Sequence, residues 1–115
     1  MQLSRRDNMT DAPSSLTIDL SAIVDNYRAL QTASGRARAG AAVKANAYGL
    51  GARQVARALE RAGCSDFFVA TVAEGVELRR LIGGRIYVLG GPLSGHPRDI
   101  RTHDLIPVLN SLDDI

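Results

Sequence analysis

The chain has 115 residues and a mass of 12.3 kDa, with 45% hydrophobic and 23% charged residues; this is the balance of one soluble globular unit and excludes a large multidomain enzyme or a disordered chain. Fourteen basic residues against twelve acidic ones leave a formal charge of +2, scattered along the chain, so neither nucleic acid nor a membrane surface is expected as a partner. No run approaches the roughly 18 consecutive apolar residues of a membrane helix. Cys64 is the only cysteine and the start lacks the apolar segment of a secretory signal, so the expected location is the cytoplasm.

Residues 1–14 are polar and aperiodic and read as a disordered leader, with Met9 an equally good start. The ordered unit is expected over 15–115. Leu16, Ile18 and Leu20 alternate with polar residues as in a half-buried strand. Ser21 then caps a helix to about Ser34, with Ile23, Val24, Tyr27 and Leu30 on one face and Gly35 ending it. Ala41–Ala47 reads as a strand stopped by Gly49 and Gly51. Ala52–Ala62 carries Val55, Ala56, Leu59 and Ala62 at helical spacing. Phe67–Ala70 is a second buried strand, and Thr71 with Glu74 forms a capping box opening a helix to Leu81 or Ile82. Arg85–Leu89 and Leu105–Leu109 are the third and fourth strands, with a short helix between them begun by Pro97. Ser111, Leu112 and Asp113 look like the start of another helix.

Strands apolar on both faces, alternating with helices, imply an α/β fold with a parallel sheet. A (β/α)8 TIM barrel needs about 250 residues, so about four βα units amount to half of one. An open doubly wound sheet has the same alternation, and composition does not separate the two.

One residue stands out chemically. Thirteen of the fourteen cations are arginine, and Lys44 is the only lysine. If Ala41–Ala47 is extended, Ala42, Lys44 and Asn46 share one face, so Lys44 projects from a buried strand. A desolvated amine is what imine chemistry requires, and arginine cannot supply it; a strand-end lysine in an ion pair is the structural alternative. Tyr48, Gly49, Leu50 and Gly51 lead into a helix whose free amides suit an anion such as phosphate, though a strand-to-helix turn needs glycine as often as a ligand does. On an extended strand Tyr48 shares the Lys44 face.

The segment AAVKANAYGLG closely resembles the pyridoxal-phosphate lysine motif of the alanine racemases. The resemblance runs over nearly the whole ordered chain: LTIDLSAIVDNYRAL is similar to the family's first strand and helix, FFVATVAEGVELR to its second barrel strand and following helix, and RIYVLGG and LIPVLNS to the third and fourth strands. It implies the amino-terminal half of a pyridoxal-phosphate-binding (β/α)8 barrel, preceded by one short strand and a helix. It further implies that Lys44 holds the cofactor as an imine and acts as the catalytic acid and base, that Tyr48 hydrogen-bonds the phosphate, and that Leu89 lines the ring. The implied reaction interconverts L-alanine and D-alanine for peptidoglycan precursor supply, in a homodimer. Leu50 departs from the histidine more often found between the two glycines.

In the family, two arginines that contact the cofactor, a tyrosine acting as second base and a carboxy-terminal β-domain all follow the part resembled here, so the expectation for the 115 residues alone is a truncated, inactive fragment. The alternative is a non-catalytic pyridoxal-phosphate-binding protein of the single-barrel type, although AVKANAYG and the strand before the first helix match the racemases better. No metal site is expected: His96 and His103 lie in a polar segment without a nearby cysteine or acidic cluster of ligand spacing and read as surface histidines. Cys64 reads as a small buried side chain. Glu74 is accounted for as a cap, Asp25 and Asn26 as the outside of the first helix, and Arg79 and Arg80 as the exposed side of their helix.

Overall fold

In the computed structural model, the backbone is described for residues 2–5 and 13–115, and side chains for 13–115. Strand β2 (Leu16–Asp19) feeds directly into helix α1 (Leu20–Ala33). The cap is Asp19 and not Ser21: Asp19 Oδ1 accepts from the amides of Ser21 at 2.9 Å and Ala22 at 3.1 Å. An aspartate is the better cap, because its charge also meets the positive end of the helix dipole. Strand β1 (Gln2–Arg5) pairs antiparallel with β2, Gln2 opposite Asp19 and Arg5 opposite Leu16, so this part of the expected leader is paired backbone. The rest of that leader, apart from residues 13 and 14, lies outside the described residues.

The main sheet has four parallel strands in the order β3 (Ala41–Ala42), β4 (Asp66–Val69), β5 (Arg85–Val88) and β6 (Leu105–Pro107). Helices α3 (Ala52–Arg61), α4 (Val72–Arg79) and α5 (Pro97–Thr102) connect them in turn. This is the expected α/β order, with each strand beside its sequence neighbour as in one wall of a barrel.

The two faces of the sheet differ. Phe67, Val69, Ile86 and Val88 are essentially inaccessible and pack with Leu20, Val55, Leu59, Val72 and Leu78 into one core, each such side chain contributing roughly 1.5–3 kcal/mol. The opposite face carries Ala42, Phe68, Tyr87 and Ile106 in register; Phe68 and Tyr87 stack with ring centroids 4.9 Å apart. Of the apolar residues expected on one face of α1, Ile23, Val24 and Tyr27 pack on the core, whereas Leu30 is exposed.

Two ends depart from the periodicity. Helix α4 stops at Arg79, short of Leu81, and β6 stops at Pro107. Arg79 is not on an exposed side. Its Nε donates to the His103 carbonyl at 2.9 Å, Nη1 to Gly84 at 2.8 Å and Nη2 to Asp104 at 2.9 Å, tying α4 to the start of β5 and β6. Arg80 is exposed and pairs with Glu77. Among the described residues no helix is long and apolar enough to cross a membrane.

Candidate active site

The site grows from the point where β3 ends. The strand expected over Ala41–Ala47 is only two residues long, and its ladder closes with the Val43 amide donating to the Phe68 carbonyl at 2.9 Å. The chain then enters the short element α2 (Lys44–Tyr48), in which Ala45, Asn46 and Ala47 have φ of 51°, 54° and 53°; Tyr48 follows at 55°. Four consecutive non-glycine residues in the left-handed region cost roughly 1–2 kcal/mol each.

That strain is offset by local bonds. The Ala47 amide donates to the Val43 carbonyl at 3.0 Å, Gly49 to Ala45 at 3.1 Å and Gly51 to Asn46 at 2.9 Å. Ala47 is buried, and Gly49, at φ 87°, ends the turn in a conformation that favours glycine. Asn46 Oδ1 accepts from the Ala52 amide at 2.9 Å, so the first amide of α3, expected to be free for an anion, already has a partner.

The face alternation expected beyond Val43 therefore does not exist. Tyr48 is brought near Lys44 by compaction: four residues rise about 6 Å along a helical turn, against about 13 Å along a strand. Lys44 is half-buried at the carboxyl end of β3, and Tyr48 is 64% exposed. Leu89 stands at the carboxyl end of β5, its amide donating to the Val69 carbonyl at 2.8 Å and its side chain 36% exposed. All three sequence candidates thus gather at the carboxyl edge of the parallel sheet, where barrel enzymes place their chemistry. Among the described residues no carboxylate forms an ion pair with Lys44, which disfavours the structural alternative for this lysine.

Glu74 has a larger role than a capping box gives it. Thr71 Oγ1 does accept from the Glu74 amide, at 3.3 Å. The Glu74 carboxylate, however, accepts from the Ala70 amide at 2.7 Å through Oε2 and from the Ala45 amide at 3.1 Å through Oε1. A cavity of about 350 Å³ opens here, lined by Val43, Asn46, Val69, Glu74, Leu78 and Leu81.

At the other end of the strands Asp66 is buried, and its carboxylate accepts from Arg85 Nε at 2.6 Å, Arg85 Nη2 at 3.0 Å, Arg38 Nε at 3.1 Å and Tyr87 Oη at 3.2 Å. The Arg85 guanidinium above all, aided by Arg38 and Tyr87, holds this carboxyl well below the usual range against the opposing effect of burial. The Cys64 thiol is buried, and burial pushes its pKa up, the opposite of an activated nucleophile. His96 caps α5 by accepting from the Arg98 amide, and among the described residues no cluster could hold a metal ion.

Residues 18–115 match the family model for the alanine racemase N-terminal domain. The chain belongs to this family. It is 52% identical over 101 residues to an alanine racemase of Rhizobium meliloti, covering 87% of this chain and 27% of that protein. It is 51% identical over 110 residues to the biosynthetic alanine racemase of Agrobacterium fabrum, covering 91% and 28%. Among solved structures, the alanine racemase of Bartonella henselae with covalently bound pyridoxal phosphate superposes with a TM-score of 0.80 at 40% identity, over 84% of this chain and 28% of that one. The biosynthetic alanine racemase of Pseudomonas aeruginosa gives 0.75 at 35%, over 84% and 27%. The chain thus spans little more than a quarter of the length of these alanine racemases, and the likeness covers the parallel βα wall described above.

Proposed function

We propose that this chain forms the amino-terminal part of the barrel of an alanine racemase that binds pyridoxal phosphate at the carboxyl edge of the sheet and interconverts L-alanine and D-alanine. The observation that carries the reading is Lys44: the sole lysine of the chain, without a carboxylate partner among the described residues, at the end of the first strand of the parallel sheet. The donor set fits the cofactor. A primary amine suits its aldehyde, the exposed Tyr48 hydroxyl suits its phosphate, and Leu89 supplies a partly exposed apolar side chain at the same edge of the sheet.

When bound, pyridoxal phosphate supplies the electron sink that stabilises the carbanion left by removal of the α-proton. Lys44 Nζ would hold the cofactor covalently, and its amine would serve as the acid and base that takes or returns the α-proton on one face of the substrate. Tyr48 Oη would donate to a phosphate oxygen and so hold the far end of the cofactor. Racemisation also requires a base on the opposite face, which in this reading comes from outside the 115 residues, as do the further cofactor contacts and the dimer interface. The reading carries with it a cytoplasmic homodimer that supplies D-alanine for peptidoglycan precursors, and the 115 residues alone would be inactive.

The test is a chimera in which residues 18–115 replace the matching segment of the Rhizobium meliloti relative. Conversion of L-alanine to D-alanine that depends on pyridoxal phosphate, and that Lys44→Ala abolishes, is the expected result. Activity surviving Lys44→Ala, or a folded chimera that binds the cofactor and does not racemise, overturns the proposal.

A further inference from the structure

Where β3 ends, its neighbour β4 continues, and two backbone amides lose the partners a longer β3 would provide. One is the Ala70 amide just beyond β4; the other is the Ala45 amide, which belongs to the Lys44–Ala45 peptide bond. Both are satisfied by the two oxygens of one carboxylate, Glu74, at 2.7 Å and 3.1 Å. The chain of bonds continues, since the Ala70 carbonyl accepts from the Gly90 amide at 2.9 Å, next to Leu89. Glu74 thus replaces the missing rung of the sheet, linking the Lys44 peptide to the ends of β4 and β5. It is half-buried in the first turn of α4, whose backbone is held by the burial of Val72 and Leu78 in the core.

We propose that Glu74 is a positioning residue for Lys44: it pins the peptide plane that follows the lysine and holds the left-handed turn in the one conformation that presents Lys44 Nζ to the cofactor. The inference rests on the reading of Lys44 as the cofactor lysine. A run of strained residues persists only where surrounding bonds over-determine it, and the Glu74 bond is the one that reaches the turn from α4. A glutamine at 74 retains one acceptor oxygen and presents an amide donor in place of the other, so one of the two backbone amides loses its partner.

The experiment measures the rate at which pyridoxal phosphate, at a concentration below saturation, gives a borohydride-trapped adduct at Lys44 of the whole chain, alongside the thermal melt. Glu74→Gln should slow adduct formation about tenfold or more, as displacement of a reacting group by a fraction of an ångström does. Thr71→Ala, which removes the α4 cap without touching the Ala45 amide, should lower the melting temperature and leave the rate within about twofold. If Glu74→Gln does not fold, E74Q/A45G takes its place, because glycine adopts the left-handed conformation without strain; it should fold and still show the deficit. Rates unchanged in the Glu74 variants overturn the inference, as does a Thr71→Ala deficit of the same size, which would make Glu74 a helix-start residue only. An unsubstituted chain that forms no adduct at Lys44 overturns the cofactor reading itself, and the inference falls with it.

Discussion

Replacing Asp66 by asparagine removes the charge on which two guanidinium groups and a phenol converge. The Asp66 side chain is only 9% exposed, whereas those of Arg38 and Arg85 are 66% and 44% exposed, so the full strength of a buried ion pair does not apply. The Arg38 contact is screened and contributes about 0–1 kcal/mol. The Arg85 pair, made through two nitrogens, contributes about 1–2 kcal/mol after the same discount, and the Tyr87 hydrogen bond about 1 kcal/mol. The sum is a loss of about 2–4 kcal/mol near neutral pH. With a urea m-value of about 1–1.5 kcal/mol/M, the unfolding midpoint of Asp66→Asn should fall by about 1.3–4 M. The pH dependence follows from the depressed carboxyl pKa. A carboxylate whose folded pKa lies below its unfolded value stabilises fully above the unfolded value, about 3.9, and loses that contribution as pH falls through the folded one. The gap between the unsubstituted chain and Asp66→Asn should therefore be constant from pH 8 to about pH 5 and narrow below about pH 4. Urea titrations across that range, followed by circular dichroism, measure it; a midpoint unchanged at pH 7, or a gap that stays constant into strong acid, would refute the reasoning.

Tyr48→Phe, made in the chimera, should weaken pyridoxal phosphate binding by about 1–2 kcal/mol, or roughly 5- to 30-fold, with turnover at saturating cofactor little changed, because a bond to the phosphate acts equally in ground and transition states. Equilibrium dialysis against cofactor, paired with turnover, checks it; intact affinity with collapsed turnover would move Tyr48 into the proton-transfer machinery. Cys64, 2% exposed with its thiol pKa raised by burial, should resist iodoacetamide at pH 8 in the folded chain and react fully in denaturant. Rapid alkylation of the native protein, read by mass spectrometry, would contradict the burial of Cys64.

The legible parts of the molecule are those set by local pattern. Val55 and Leu59 at helical spacing, and the apolar pairs of β4 and β5, placed the helices and the parallel sheet from sequence alone, because burying those faces is the dominant local demand. The pairing of Asp66 with Arg85 was not legible, because the strand expected over Phe67–Ala70 leaves Asp66 outside it and only the register shows that the two charges meet. The left-handed turn after Lys44 was not legible: Ala, Asn and Ala carry no signal for positive φ strong enough to override an apparent strand, and beside the local bonds of the turn the Ala45 amide is held by Glu74, 29 residues away in sequence. Glu74 was hidden for a related reason. The T-x-x-E pattern explains its presence locally, while its carboxylate is used across 29 residues of sequence separation. Arg79 likewise reads as an exposed helical cation until the carbonyls of Gly84, His103 and Asp104 are seen to surround it.

The central claim is that Lys44 is the cofactor lysine, and the most direct measurement is the site of covalent attachment. The chain is incubated with pyridoxal phosphate, reduced with borohydride, digested and mapped by mass spectrometry, with Lys44→Arg beside it as the variant that keeps the charge and loses the imine-forming amine. The expected result is a single pyridoxyl adduct on the peptide containing Lys44, absent from Lys44→Arg; an adduct confined to the amino-terminal amine, or a labelling pattern that Lys44→Arg leaves unchanged, would contradict the account.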